Sequence, residues 1–101
     1  MAVKVSVAIH PGEHVAEELE ERGMSAADLA RAMGVDRGRV SRLVRGRTAV
    51  TGETAILLSQ AFGTSPEFWM RLQADYDLAV AREAMRSWGP SSAGRVTGAG
   101  S

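Results

Sequence analysis

Apolar residues recur at steps of three and four positions through most of residues 10–88, and polar residues fill the positions between them. This spacing is typical of amphipathic helices that each bury one face. Glycines, prolines and small polar residues divide the pattern into five segments. We therefore predict an all-α fold of five helices, which start near His10, Ser25, Asp36, Thr51 and Ser65 and end near Gly23, Gly34, Val44, Gly63 and Trp88.

Residues 25–44 have the spacing of two short helices packed across a tight turn. Ala30 is small enough to let the second helix approach the first, and Gly34 can adopt the positive φ that ends the first helix. Val40 and Leu43, three positions apart, turn the inner face of the second helix toward the first. This arrangement is typical of a DNA-binding helix-turn-helix, whose second helix enters the major groove.

Both ends of the chain differ from the helical part. Apolar and polar or small side chains alternate from Val3 to Ile9, which predicts a short strand or an extended arm over residues 1–9. Residues 89–101 are small and polar and predict a disordered tail. The expected organisation is an arm at 1–9, a helix-turn-helix domain with a C-terminal dimerisation helix at 10–88, and the tail at 89–101.

The formal net charge of the 101-residue chain is zero, but the charges are unevenly distributed. Between Asp36 and Arg47, five arginines stand against a single acid, so this stretch alone carries +4. Local charge, and not total charge, is what meets a phosphate backbone. Helix geometry turns one set of these residues outward as candidate base contacts, namely Arg37, Gly38, Ser41 and Arg42. The candidate phosphate contacts are Arg39, Arg45 and Arg47, together with the helix N-termini at Ser25 and Thr51.

The last predicted helix is too long to pack only on a compact bundle. Phe68, Trp69 and Leu72 are expected to complete the core. Side chains farther along the helix need another surface to cover, and a second subunit would supply one. Because a helix-turn-helix protein gains specificity by binding two half-sites, we predict a homodimer, with an interface formed by Tyr76, Val80, Ala84 and Trp88.

Several other functions find no support in the sequence. The chain has no cysteine, which excludes disulfides, thiol catalysis and thiolate metal sites. His10 and His14 have no third ligand evident nearby, so we predict no metal site. No catalytic constellation or glycine-rich phosphate loop points to an enzyme or a cofactor. No apolar run is long enough to span a membrane and no signal peptide is recognisable, so a soluble cytoplasmic protein is expected.

From His10 onward the sequence resembles one family closely. The shared motifs, in chain order, are His10-Pro11-Gly12-Glu13, the Ser25–Leu43 unit, Arg45-Gly46-Arg47, Thr51-Gly52-Glu53-Thr54-Ala55, Gly63-Thr64-Ser65-Pro66-Glu67-Phe68-Trp69, Leu72-Gln73 and Tyr76-Asp77-Leu78. Over about residues 10–82 the chain is similar to HigA-type antitoxins of the lambda-repressor-like helix-turn-helix superfamily. This resemblance implies a dimeric autorepressor that binds a palindrome in its own operon promoter. It also implies neutralisation of a HigB-type toxin, a RelE-like ribonuclease.

Two further interpretations remain open. One is a helix-turn-helix transcriptional regulator without a toxin partner, because the DNA-reading half is common to both kinds of protein. The other is a protein-interaction module that no longer binds DNA, with the acidic first helix as its working surface. Within the antitoxin interpretation, a basic toxin would have a candidate docking surface on the first helix at Glu17, Glu18 and Glu21.

Overall fold

The computed structural model describes residues 8–88, and these form five α-helices. The helices are α1 (Pro11–Arg22), α2 (Ala26–Met33), α3 (Arg37–Val44), α4 (Gly52–Phe62) and α5 (Pro66–Trp88). The predicted all-α fold of five helices is therefore confirmed. Ala8 and Ile9, the part of the predicted arm that the structure describes, belong to neither a helix nor a strand. The rest of the predicted arm and the predicted tail at 89–101 lie outside the described residues.

Each of the first four helices begins directly after a residue whose side chain accepts a hydrogen bond from a backbone N–H of the first turn. Ser25 and Asp28 form a reciprocal capping box at α2, and Asp36 accepts from the N–H of Arg39 at 2.8 Å. The cap of α4 is Thr51. At α1 the cap is His10, whose Nδ1 accepts from the N–H of Gly12 at 2.8 Å. These local bonds explain why the starts of the helices could be read from the sequence.

The turn of the helix-turn-helix lies at Gly34, whose φ of +75° ends α2 as predicted. Val40 and Leu43 face inward from α3, where they meet Leu29, Ala30 and other core residues. The buried apolar core joins all five helices through Val15, Leu19, Leu29, Ala30, Met33, Val40, Leu43, Val50, Ala55, Leu58, Phe62 and Trp69.

Of the three aromatic and aliphatic residues expected to complete the core from α5, Trp69 does so most fully. It is buried, and its Nε1 donates to Thr64 Oγ1 at 2.7 Å. Leu72 is partly buried against the core. The expectation for Phe68 is wrong, because 40% of this residue is exposed and its ring packs edge-on against Trp69. Adjacent helical residues point about 100° apart, so Trp69 occupies the core position and excludes its neighbour.

The residues that precede the caps Ser25, Asp36 and Thr51 are all apolar and help to fix the entry of each helix. Met24, Val35 and Val50 occupy these positions, and they belong to or pack against the core that contains the fourth residue of each helix. This is the arrangement of a hydrophobic staple. The sequence analysis did not identify Val50 as a core residue, although an apolar residue before a capping threonine was a usable signal.

The second half of α5 runs beyond the bundle. From Asp77 to Arg86 the described side chains are exposed, except that Ala79 is half-buried. Leu78, Val80 and Met85 are large apolar residues among them. Within residues 8–88, no helix combines the length and the apolar character needed to cross a membrane.

Candidate nucleic-acid interface

One face of α3 carries the four residues predicted to contact bases. Arg37, Gly38 and Arg42 are exposed and Ser41 is half-buried, whereas Val40 and Leu43 on the other face are buried. The inward anchoring of these two residues determines which side chains turn outward. The structure thus brings the four candidate base contacts together on one exposed face of the helix.

Gly38 leaves room for Arg42 on this face. A Cβ atom placed at Gly38 would stand 3.4 Å from Nη1 of Arg42 and 3.7 Å from Oδ1 of Asp36. The guanidinium therefore extends back along α3 toward the N-terminus of the helix, over the position that a side chain at residue 38 would occupy. Arg42 can therefore occupy the part of this face where Gly38 has no side chain.

Arg39 has a different environment from the other arginines of α3. Its Nη2 lies 3.1 Å from Oε1 of Glu53 and donates to Oγ1 of Thr54 at 3.2 Å. The side chain is 36% exposed, against 72% for that of Glu53. The guanidinium of Arg39, which was predicted to contact phosphate, therefore bridges α3 and the first turn of α4.

The loop after α3 holds the remaining two arginines of the basic cluster. Arg45 and Arg47 are exposed, and the N–H of Arg47 donates to the carbonyl oxygen of Arg42 at 2.8 Å. At the end of the loop the N–H of Val50 donates to Oε1 of Gln73 at 2.7 Å, and Nε2 of Gln73 donates to Asp77. Gln73 is buried and connects the loop to α5. Sequence reasoning did not identify it, although a polar residue one turn after Trp69 on a buried face was a signal.

The start of α1 supports α3 and its loop from the other side. A Cβ atom at Gly12 would stand 2.0 Å from the carbonyl oxygen of Leu43, so the two backbones meet at a distance that excludes any side chain. The His10 ring lies beside Gly46 and makes an edge contact with Tyr76, with ring centroids 4.9 Å apart. The helix α3, which is predicted to enter the major groove and is called the recognition helix below, is therefore held with its loop by α1 and by α5.

Two helix N-termini were predicted to hold phosphates, and their surroundings differ. At α2, Ser25 Oγ accepts from the N–H of Asp28, and Oδ2 of Asp28 accepts from the N–H of Ser25 at 2.9 Å. The backbone and hydroxyl hydrogen bonds of Ser25 hold the pKa of Asp28 below its usual range. Desolvation opposes them, and the charge of Arg31 lowers the pKa by a smaller amount. At α4, no atom of the described residues lies within 4 Å of a Cβ placed at the N-terminal Gly52.

The charges of the described residues separate into paired and unpaired groups. Arg22, Arg31, Arg39 and Arg86 form ion pairs with Glu18, Asp28, Glu53 and Glu83. Among residues 8–88, the arginines of the outer face of α3 and its loop form no ion pair, and these are Arg37, Arg42, Arg45 and Arg47. Four exposed cations without a carboxylate partner give this surface the positive field that attracts a polyanion.

The acidic residues of α1 are divided between two environments. Glu17 and Glu21 are exposed, one turn apart, beside the exposed Glu13 and Glu20. Glu18 is half-buried and accepts from Nε of Arg22 at 2.8 Å, while Arg22 also donates to the carbonyl oxygen of Phe62 and lies over the Phe62 ring. Glu18 therefore helps to position Arg22, which packs against Phe62. The exposed acidic face of α1 consists of Glu13, Glu17, Glu20 and Glu21.

The predicted dimer residues lie along α5, from the bundle to the end of the helix. Tyr76 is half-buried against His10, Val80 is 43% exposed, and Ala84 is exposed. Trp88 is the last residue of α5. Tyr76 thus belongs in part to the monomer, whereas Val80 and Ala84 lie on the projecting half. In the part of the chain that the structure describes, no three histidine or acidic side chains are grouped as a metal site.

Comparison with known proteins agrees with this architecture. A helix-turn-helix family model matches residues 15–69. The virulence-associated protein I of Dichelobacter nodosus is 40% identical over 81 residues, which cover 79% of this chain and 75% of that protein. An addiction module antidote protein of the HigA family from Coxiella burnetii superimposes with a TM-score of 0.75 at 41% identity, covering 79% of this chain and 88% of that one. The Pseudomonas aeruginosa antitoxin HigA, solved with the higBA promoter, superimposes with a TM-score of 0.76 at 41% identity, covering 81% and 90%. The chain therefore belongs to the helix-turn-helix family and, within it, to the HigA-type antitoxins with the lambda-repressor-like fold.

Proposed function

We propose that this protein is a DNA-binding antitoxin that represses its own operon as a homodimer in the cytoplasm. The observation that carries the proposal is the set of four exposed arginines on the outer face of α3 and on its loop, none of which pairs with an acidic residue within 8–88. Arginine is the commonest side chain that reads guanine, and it also binds phosphate. The HigA protein of P. aeruginosa, a relative of similar length, was solved with promoter DNA, which supports the same partner here.

Within this proposal the candidate contact residues have separate tasks. Arg37, Arg42 and Ser41 contact base edges, and Gly38 lets the backbone of α3 approach the groove. Arg45 and Arg47 hold phosphates through the loop after α3. The backbone N–H groups that follow Ser25 and Thr51 add phosphate contacts, because the first turn of a helix leaves N–H groups without intrahelical partners. At α2 the carboxylate of Asp28 already accepts from the N–H of Ser25, and at α4 the carboxylate of Glu53 is paired with Arg39.

A titration against the upstream region of the protein's own gene at several salt concentrations tests DNA binding. We expect selective binding that weakens steeply with salt. Arg42→Ala should weaken specific binding by about 1–3 kcal/mol and relax selectivity at one base pair. Arg71→Ala is the matched control, because it removes the same charge from an exposed position on α5 and is expected to leave selectivity unchanged. Absence of binding at low salt would instead favour a protein-interaction module.

The proposed protein partner is a basic toxin of the HigB type, docked on the exposed acidic face of α1. Glu17 and Glu21 supply the central charges of that face, while Glu18 is occupied by Arg22. Opposite charges across an interface accelerate association and favour the matching partner. The assignment of the chain to the HigA-type antitoxins supports a toxin partner, and the acidic face supports a basic one.

Co-purification with the product of a short, basic reading frame next to this gene tests the toxin proposal. We expect the complex to be lost when Glu17 and Glu21 are both changed to lysine and retained after Glu67→Lys on α5. Retention of the complex by the double variant would show that the toxin docks on a surface other than the acidic face of α1. A gene without such a neighbour would indicate a transcriptional regulator that has no toxin.

A further inference from the structure

A chain of polar contacts joins the recognition helix to the start of α4. Nη2 of Arg39 lies 3.1 Å from Oε1 of Glu53 and 3.2 Å from Oγ1 of Thr54. Oγ1 of Thr54 lies 3.2 Å in turn from Oγ1 of Thr51, the cap of α4. Thr54 is buried, so the inner end of this chain is fixed in the core. The guanidinium of Arg39 thereby connects the third residue of α3 to the N-terminus of α4.

Glu53 occupies an unfavourable position for a DNA-binding surface. Its exposed carboxylate stands in the first turn of α4, the helix N-terminus that the proposed function places toward phosphates. A negative charge there repels the polyanion. An acid in the first turn and an exposed ion pair each contribute little to folding stability. The contact with Arg39 gives the carboxylate of Glu53 a role, to hold Arg39 in place, and this role can offset the repulsion.

We propose that Arg39 is a positioning residue for DNA recognition and not a phosphate contact. Held by Glu53 and Thr54, it fixes the angle between α3 and the start of α4. That angle determines where Arg37 and Arg42 meet the base pairs when the loop and α4 rest on the backbone. The inference rests on the proposed DNA binding, and it assigns to the Arg39–Glu53 pair a part in sequence selectivity.

The two possible roles of Arg39 predict different effects of its removal. A phosphate contact contributes equally to every sequence, so Arg39→Ala would weaken specific and non-specific binding together and lower the salt slope by about 0.9. A positioning residue affects only the base contacts. We therefore expect Arg39→Ala to lower the ratio of specific to non-specific affinity by roughly tenfold and to leave the salt slope unchanged.

Glu53 provides the sharper test because simple electrostatics predicts the opposite result. Removing a carboxylate that repels DNA should strengthen binding to all sequences and leave their ratio unchanged. We expect Glu53→Ala to lower the selectivity ratio to about the same extent as Arg39→Ala, and the double variant to be no worse than Arg39→Ala alone. Exchanging the pair, as Arg39→Glu with Glu53→Arg, should restore much of the selectivity that either single reversal removes.

The measurement is the affinity for the upstream region and for a scrambled duplex of equal length, at several salt concentrations, with the melting temperature of each variant recorded. Arg47→Ala serves as the matched control, since it removes one exposed positive charge and is expected to lower the salt slope without changing the ratio. A uniform loss for Arg39→Ala with a smaller salt slope, or an unchanged ratio for Glu53→Ala, would overturn the inference. Wild-type protein that binds both duplexes equally would instead overturn the proposed function.

Discussion

Gly12 lies in the first turn of α1, and a side chain at this position would collide with the backbone of α3. A Cβ atom would stand 2.0 Å from the carbonyl oxygen of Leu43. The obstacle is backbone, which cannot turn aside as a long side chain can. The His-Pro-Gly motif is therefore more than a helix start, because its glycine determines how closely α1 approaches the recognition helix.

Gly12→Ala is expected to lower the free energy of unfolding by about 2 kcal/mol or more, because the added methyl group forces α1 and α3 apart. Urea denaturation monitored by circular dichroism measures the change. The control is Gly52→Ala, where a Cβ meets no atom of residues 8–88 within 4 Å and the expected effect is neutral or slightly stabilising. Equal stabilities of the two variants would contradict the close approach.

The contacts that the sequence predicted differ from those it did not predict mainly in how far apart the two partners are along the chain. Ser25, Asp36 and Thr51 bond to atoms three positions away, so each cap is visible in a short window of sequence. The partner of Arg39 is 14 positions away, and that of Gln73 is 23 positions away. No local pattern encodes such pairs. The composition of the arginine surface was therefore predictable, whereas the orientation of each guanidinium was not.

The helices themselves were predictable because their boundaries rest on local chemistry. A cap, an apolar stripe and a glycine near the end define α1, α2 and α4 without reference to the rest of the molecule. The helix α5 illustrates the limit of that reasoning. Its periodicity gave its length, but the depth to which Phe68 and Tyr76 are buried depends on α1 and on Trp69.

At α2, acid is expected to weaken the capping box. The pKa of Asp28 is lower in the folded protein than its ordinary value near 3.8, so its contribution to stability is fully present above that value. The contribution is lost as the pH falls through the lowered pKa, because the protonated carboxyl no longer accepts strongly from the N–H of Ser25.

The difference in unfolding free energy between the wild type and Asp28→Asn should therefore be constant above about pH 5 and shrink as the pH falls below 3.8. Thermal denaturation across this pH range measures it. Gln60→Ala on the exposed face of α4 serves as the control, because it changes no ionisable group and its effect on stability should not follow the same pH dependence. A difference that grew with acid would have the wrong sign for a lowered pKa.

For the whole molecule, the projecting half of α5 is the feature that a monomer leaves unexplained. Val80 continues the face of α5 that carries Trp69, Gln73 and Tyr76, at steps of three and four residues. Leu78 points to the opposite side of the helix, since two positions correspond to about 200° of rotation. Both residues are large, apolar and exposed, at 43% and 49%. The proposed dimer uses the Val80 side.

Val80→Glu is expected to weaken dimerisation on the order of a hundredfold, because each twofold-related copy loses a buried valine and gains a charge. Size-exclusion chromatography with light scattering at micromolar concentration measures the mass. Leu78→Glu places the same charge on the opposite face and should remain dimeric. If Leu78→Glu alone dissociated the protein, the subunits would meet through the outer face, and a monomeric wild type would exclude the dimer.

The contact between Gly12 and Leu43 also limits how this protein can acquire new target sequences. An inserted or deleted residue between Asp36 and Leu43 would rotate the end of α3 by about 100° and move the Leu43 carbonyl away from Gly12 on α1. Substitutions of the outward-facing residues Arg37, Gly38 or Arg42 leave that backbone contact intact. Divergence of operator preference among relatives is therefore expected to proceed by replacement of outward-facing residues in a recognition helix of constant length.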